Sequence, residues 1–302
     1  RLISSATHRR TDLLALVVAV GAVSLSGPIM TATEAPALGI AFWRNAIAAV
    51  VMLPLLLRHR NTYRELTRKQ WLSMVLAGVL LGLHFAAWIP SLRFTSIAAS
   101  TALVATQVVW AAIFAYLAGH RAPRAEWIGI AISLLGVVLL TGIDISLTPR
   151  ALIGDALALL GAMGSAAYMS VGQRVRPSLP LAAYTGVVYA VSAVTLLIIC
   201  LAGSVPLTGY SANSWLLIAA VTLVAQFGGH SLLNMALRSF SATAVSIAIL
   251  CEMPGSTLVG WVWPGQTPPL ALLPAALLIV GGIVLVLRTE QPKELDSDAV
   301  TP

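Results

Sequence analysis

A glutamate, an arginine and two histidines lie inside runs that are otherwise apolar, and at these positions the sequence can do chemistry. Glu252 sits in ILCEMPGSTL. A carboxylate at mid-depth in a bilayer costs roughly 2.5–3.5 kcal/mol, so it needs a partner, water or a proton, and intramembrane acids are functional by default. Glu252 is therefore read as facing a cavity and binding a cation, a proton or a substrate amine; the plain alternative is a protonated or internally bonded glutamate that only packs helices. Pro254 follows two residues later and is expected to kink its helix as a hinge. Arg44, in GIAFWRNAIAAVV, could offer a carboxylate or phosphate a positive group in a cavity, or could snorkel outward or bond to Glu34.

The histidines belong to polar stripes. His84, Trp88 and Ser91 fall at i, i+4, i+7, and Gln226, His230 and Asn234 at i, i+4, i+8. On a helix each trio makes one polar line facing protein or water, not lipid. For either histidine alone, hydrogen bonding between helices is the favoured reading. The deeper tryptophans, Trp43, Trp88 and Trp110, could wall a pocket or simply pack; Trp71, Trp127, Trp215 and Trp263 fall at run ends, where tryptophan anchors a membrane interface. Tyr168 with Ser165, and Tyr189 with Ser192, are lesser cavity candidates. No spacing suits a metal, and no GxxxxGK[ST] phosphate loop is present, so neither metal nor other cofactor is expected. Cys200 and Cys251 lie in apolar runs and are expected to be free thiols.

The elements that position these groups follow from composition. The chain has 302 residues, 58% hydrophobic and 10% charged, with mean hydropathy +0.90. That balance belongs to a polytopic membrane protein. Runs of about 20 apolar residues cross a hydrocarbon core of about 30 Å. Ten occur, near 12–31, 37–57, 71–91, 96–118, 125–142, 153–173, 181–201, 214–235, 242–263 and 268–287, and in lipid each must be helical. The first run follows Arg9 and Arg10 as a signal peptide would, but Asp12–Gly21 has a counterpart in Asp155–Gly164. The initial Arg1 suggests that the natural start lies upstream.

Of the 18 Lys and Arg, all but Arg44, Arg93 and Arg150 fall on one side when the runs alternate. The positive-inside rule puts that side, with both termini, in the cytoplasm of a plasma or bacterial inner membrane. Basic residues in short loops also speak against a nucleic-acid partner. The loop from Arg58 to Lys69 reads as a solvated link within reach of anionic headgroups. The polar segment 288–302 reads as a disordered tail.

A shift of 145 positions lays Arg93–Leu140 on Arg238–Leu285 without a gap, matching Arg93/Arg238, Ser96/Ser241, Ala99/Ala244, Pro123/Pro268, Ala131/Ala276, Gly136/Gly281 and Leu140/Leu285. It also lays Gln107, which cannot titrate, on Glu252. The chain thus divides into an N-terminal segment 1–11, a five-helix repeat 12–142, a linker 143–152, a second five-helix repeat 153–287 and the tail. Five is odd, so the second repeat enters the membrane from the opposite side. The expected fold is an all-α membrane protein of ten transmembrane helices in two inverted-topology repeats, an arrangement that commonly holds a substrate near the midplane.

This layout resembles the EamA-type branch of the drug/metabolite transporter superfamily. FWRNAIAAVVMLPLLL in the second span and LCEMPGSTLVGWVWPGQTPPLALLPAALLIVGGIVLV at the end carry the resemblance, which covers 12–287. The family's span-two arginine matches Arg44, and its acid-and-proline pair matches Glu252 and Pro254, here separated by Met253. The acid often found at the ends of spans four and nine is replaced by Arg121 and Gln266. The resemblance implies a secondary transporter that exports a small metabolite or amino acid by alternating access, proton-coupled or facilitated. Its partners would be a small-molecule substrate and the lipid bilayer, with a homodimer left open. Two rivals remain. One is an efflux carrier for cationic drugs. The other, from a different class, is an intramembrane enzyme or a non-transporting subunit; an enzyme would need His84, His230 and Glu252 at one depth, and the span directions place the histidines in opposite halves of the membrane.

Overall fold

A computed structural model describes residues 2–95, 97–142, 148–263 and 267–290, with the side chains of 2–8 and 97–98 outside the description. The centre of the expected linker, Gln266 and the tail beyond Glu290 lie outside the described residues. Ten apolar helical stretches fall where the hydropathy places them. In chain order they are α1 (Leu2–Ser24, continued by Ser26–Thr31), α2 (Ala37–Arg58), α3 (Arg68–Phe94), α4 (Ile97–Ala105 and Gln107–Leu117), α5 (Arg124–Thr141), α6 (Pro149–Val175), α7 (Leu181–Ala202), α8 (Ala212–Ala236), α9 (Ala242–Ile249 and Glu252–Val262) and α10 (Leu272–Thr289).

Polar caps set where they begin. Thr67 and Gln70 form a reciprocal capping box at the start of α3: Thr67 Oγ1 accepts the Gln70 N–H at 3.2 Å, and Gln70 Oε1 accepts the Thr67 N–H at 2.9 Å. Thr148 caps α6 ahead of Pro149, whose missing N–H has no partner to lose at that position. Ser241 caps α9. Gly142, at φ +74°, ends α5 in a conformation that favours glycine.

Size sorts the side chains between lipid and interior. Leu14, Val17, Val50, Leu160 and Ile198 are exposed, whereas Ala19, Ala41, Ala48, Ala77, Ala158, Ala162 and Ala166 are buried. Lipid tails are as apolar as leucine, so helices gain by close backbone approach through small residues. α3 and α6 show this: a Cβ placed on Gly161 would stand 3.0 Å from Trp88 Cβ, and one on Gly164 would stand 3.2 Å from His84 Cα. The repeats also meet through glycine. A Cβ on Gly129 of α5 would stand 2.7 Å from the Gly282 carbonyl oxygen of α10, and Ser133 Oγ donates to Ile279 O at 3.1 Å.

α1 breaks at Leu25, and two further helices break at matched positions. α4 is interrupted at Thr106 (φ −62°, ψ −6°) and resumes at Gln107. α9 is interrupted at Leu250 and Cys251 (φ −66°, ψ −12° at Cys251) and resumes at Glu252. The 145-residue register therefore holds down to backbone angles. The α9 interruption falls three to four residues before Pro254, at Leu250, whose carbonyl the proline ring would displace, and Leu250 O instead accepts the Met253 N–H at 3.3 Å. The α4 break occurs with no proline near it.

α8 departs from the expectation of plain α-helix. Thr222–Ser231 is π-helical, and Gln226, His230 and Asn234 each meet an interior partner, Arg44, Phe85 and Tyr168.

Candidate functional site

A cavity of about 1060 Å³ opens on the face opposite Arg9 and Thr289. Its wall comes from the end of α1 (Gly27–Thr31), the start of α2 (Ala37, Ile40), the end of α3 (Trp88–Arg93), both sides of the α4 break (Thr101–Gln107) and the second piece of α9 with its preceding break (Ile249–Trp263). Elements of both repeats thus surround it.

Glu252 lies on this wall, half-buried, at the first residue of the resumed helix, and makes no hydrogen bond or ion pair with a described residue. The N-terminal end of a helix carries partial positive charge and unspent N–H groups, which favour a carboxylate there. Gln107, its counterpart, lines the same cavity from the α4 break. The two interruptions therefore bring one titratable and one neutral polar side chain to one space. Trp88 also lines it, and its indole Nε1 is buried without a partner.

Arg44 is placed otherwise than expected. It neither snorkels nor reaches Glu34, and it is not part of the wall: it is 1% exposed, beneath the floor. Its Nε donates to Gln226 Oε1 at 3.0 Å, Gln226 Nε2 donates to Asn45 Oδ1 at 3.0 Å, and Asn45 Nδ2 donates to Ala41 O at 2.9 Å. The guanidinium lies 4.5 Å from the Phe85 ring centroid. Tyr189 of α7 donates to Gln226 O at 3.1 Å and shares a 2.8 Å hydrogen bond with Ser231, so it braces the π-helical stretch without lining the cavity.

The histidines come together where span directions kept them apart. His84 and His230 lie 5.0 and 5.2 Å from Phe85, centroid to centroid. Both therefore reach the depth of Phe85. His84 Nδ1 is 2.8 Å from Gly161 O, a pure acceptor, so that nitrogen carries the hydrogen. Its ring stacks on Trp88 at 5.7 Å. His230 Nδ1 is buried and unpartnered. Asn234 donates to His230 O at 2.8 Å and to the Tyr168 hydroxyl, tying α8 to α6. Trp43 is not among the residues that line the cavity: it donates to Leu207 O at 2.8 Å and meets Trp215 edge-on at 5.0 Å. Trp110 packs on Phe114. Of the expected interface anchors, Trp263 also lines the cavity mouth.

The opposite end is sealed. Asp12 of α1, 0% exposed, takes a bidentate pair from Arg238, with Nη2 to Oδ1 at 2.8 Å and Nε to Oδ2 at 3.2 Å, and accepts a hydrogen bond from Ser239. Arg176 Nε donates to Asn234 O at 2.9 Å, and its Nη1 to Leu179 O. Ser241 donates to Glu290 through its N–H at 3.2 Å and through its hydroxyl. Beside this end, in the short helix Arg60–Glu65, burial pushes the Tyr63 phenol up to about 12. It stays protonated and donates to Ala183 O at 3.1 Å. Sequence reasoning marked Asp12 and Arg238 only as repeat matches. Asn45, Phe85 and Ser231 carried no mark beyond lying beside or between those that did.

Ten apolar helices meeting through small residues, in two like halves around a one-sided cavity, define a multi-pass membrane protein. The chain belongs to the EamA-like transporter family, whose profile matches residues 9–142 and again residues 152–288. The two matches are the two repeats. A solved structure titled "Crystal structure of protein" has the same fold, at TM-score 0.76 and 19% identity over 93% of this chain and 99% of that one. No curated protein matches the sequence.

Proposed function

We propose that the protein is a secondary transporter that exports a small organic metabolite by alternating access, with Glu252 as the group that couples transport to protons. The observation that carries this reading is the cavity itself: it is open on one face, sealed on the other, and walled by elements of both inverted repeats, with a free carboxyl on its side. With the Lys/Arg-rich side in the cytoplasm of a plasma or inner membrane, this is the outward-open state.

Inverted repeats supply the return stroke, because each half can adopt the other's shape. Asp12 and Arg238 hold the sealed face, and their counterparts Asp155 and Arg93 stand at the open face. Asp155 Oδ1 is buried without a partner, while Arg93 Nη2 donates to Ala35 O at 3.3 Å. Opening inward would break the first pair and bring the second together.

The alternative is a cation-efflux carrier. Glu252 is the one acid among the described residues that line the cavity, and a lone carboxyl suits a lipophilic cation. Counterflow in proteoliposomes, with internal pH recorded, tests the coupling. Exchange of one solute class whose pH dependence disappears in Glu252→Gln supports it. Exchange with unchanged pH dependence in Glu252→Gln would make Glu252 structural and the protein a facilitator.

A further inference from the structure

The geometry points to Arg44 as a buried recognition site for a carboxylate on the transported solute. This deepens the transporter reading and rests on it. The guanidinium is bound on one edge only. Nε is fixed by Gln226, which Asn45 fixes in turn, and the Phe85 ring supports the plane. On the other edge, Nη1 lies 3.9 Å from Met30 Sδ, a weak acceptor, and Nη2 has no partner. Among the described residues no acid lies within ion-pair distance of Arg44; the one such pair is Arg238 with Asp12. A buried, oriented guanidinium with two parallel N–H groups left over matches a planar carboxylate, which accepts both.

The vacant edge points toward the cavity. Met30, which covers Nη1, lines it, as do Ile40, one helical turn before Arg44, and Ile89, one turn after Phe85. Met30 has a flexible unbranched side chain, so it can swing aside where a branched residue could not. Trp88 adds a second unspent donor, its buried Nε1, from the same wall. Two unspent donors in a water-poor interior call for an acceptor. The floor thus offers a place for a carboxylate below a cavity large enough for the rest of the solute, with Glu252 on the side wall. A solute seated there enters with its carboxylate leading and displaces the Met30 sulfur from Nη1.

The test uses purified full-length transporter and matched pairs of probes: acetate and acetamide, 4-methylpentanoate and 4-methylpentanamide, phenylacetate and phenylacetamide, leucine and leucinamide. Binding is followed by tryptophan fluorescence and by calorimetry. At least one carboxylate should bind about tenfold or more tightly than its amide. Arg44→Lys, which keeps the charge but loses the fork, should weaken that probe about tenfold. Met30→Ala, which uncovers the edge and keeps Arg44 intact, should tighten carboxylates and leave amides unmoved. Amides binding as well as their carboxylates, Arg44→Lys binding like the unaltered protein, Met30→Ala helping both members equally, or no carboxylate binding would each overturn the site. The same probes, together with a lipophilic cation dye, are run in counterflow. Carboxylate binding without exchange of any solute would refute the transporter reading and leave the site. Exchange of the dye with no carboxylate bound would do the reverse.

Discussion

Arg238 closes on Asp12 in a two-point pair, Nη2 to Oδ1 at 2.8 Å and Nε to Oδ2 at 3.2 Å, across 226 positions of sequence. Ser239 adds a third bond to the same carboxylate. This contact joins α1 to the end of α8, so it holds the two repeats together at the face that carries the termini. Charge-assisted bonds of this kind are worth about 1.5–3 kcal/mol each when buried. Asp12→Asn keeps the shape and removes the charge. It should shift the balance toward opening of that face by about 2 kcal/mol, or roughly thirtyfold. A cysteine placed at Gln173, which accepts the Ala242 N–H at 2.7 Å on that face, should then react faster with a water-soluble maleimide. An unchanged rate would show that the pair does not hold the seal.

Arg93 and Asp155 should pair only in the other state. In Arg93→Cys/Asp155→Cys, with Cys200 and Cys251 replaced by alanine, a short bifunctional thiol reagent should bridge the pair faster during solute exchange than at rest, where the adjoining backbones of Gly154 and Thr95 already touch. Bridging that is equally fast in both conditions would contradict the exchange of pairs proposed from the repeat.

Gly161 has no room for a side chain, since a Cβ there meets Trp88 Cβ at 3.0 Å, Trp88 N at 3.2 Å and Trp88 Cα at 3.3 Å. Gly161→Val should lose about 1–3 kcal/mol through overpacking of α3 on α6. Gly281 faces open space, with nothing within 4 Å of a Cβ, and Gly281→Ala should be neutral within about 0.5 kcal/mol. Thermal unfolding in detergent compares the two; equal melting temperatures would refute the packing assignment.

Pro254→Ala should leave the interruption in place, because its match at Thr106 breaks with no proline near it. Transport should stay within about threefold of the unaltered protein. A loss of tenfold or more would return the hinge to Pro254.

The helices, their number and their inverted pairing were legible because they rest on periodicities that lipid enforces: about 20 apolar residues per crossing, basic loops on one side, and a 145-residue shift that joined Gln107 to Glu252. Arg44 and Glu252 were visible as lone charges in apolar runs. The location of Arg44 was not. Hydropathy gives depth, but the choice between snorkelling and burial hangs on Gln226, a residue 182 positions away. The π-helical stretch was equally hidden: TLVAQFGGHS carries no mark that separates i→i+5 from i→i+4 bonding. The Asp12 and Arg238 matches were each in view, but repeat alignment compares equivalent positions and does not pair different ones across the bundle.

The matched breaks in α4 and α9 present Gln107 on one side and Glu252 on the other, and this asymmetry bears on how steep a gradient the protein could work against. A glutamine takes up no proton between pH 4 and 9, so of the two equivalent sites one alone can bind and release H⁺. With Glu252 as the coupling group, a full cycle moves a single proton. Each unit of pH difference is worth about 1.4 kcal/mol, so an exchange of one proton for one uncharged solute, with no membrane voltage, would stall at about tenfold accumulation per pH unit. Gln107→Glu would install the second titratable site; if both sites then cycled, that ceiling would rise to about a hundredfold.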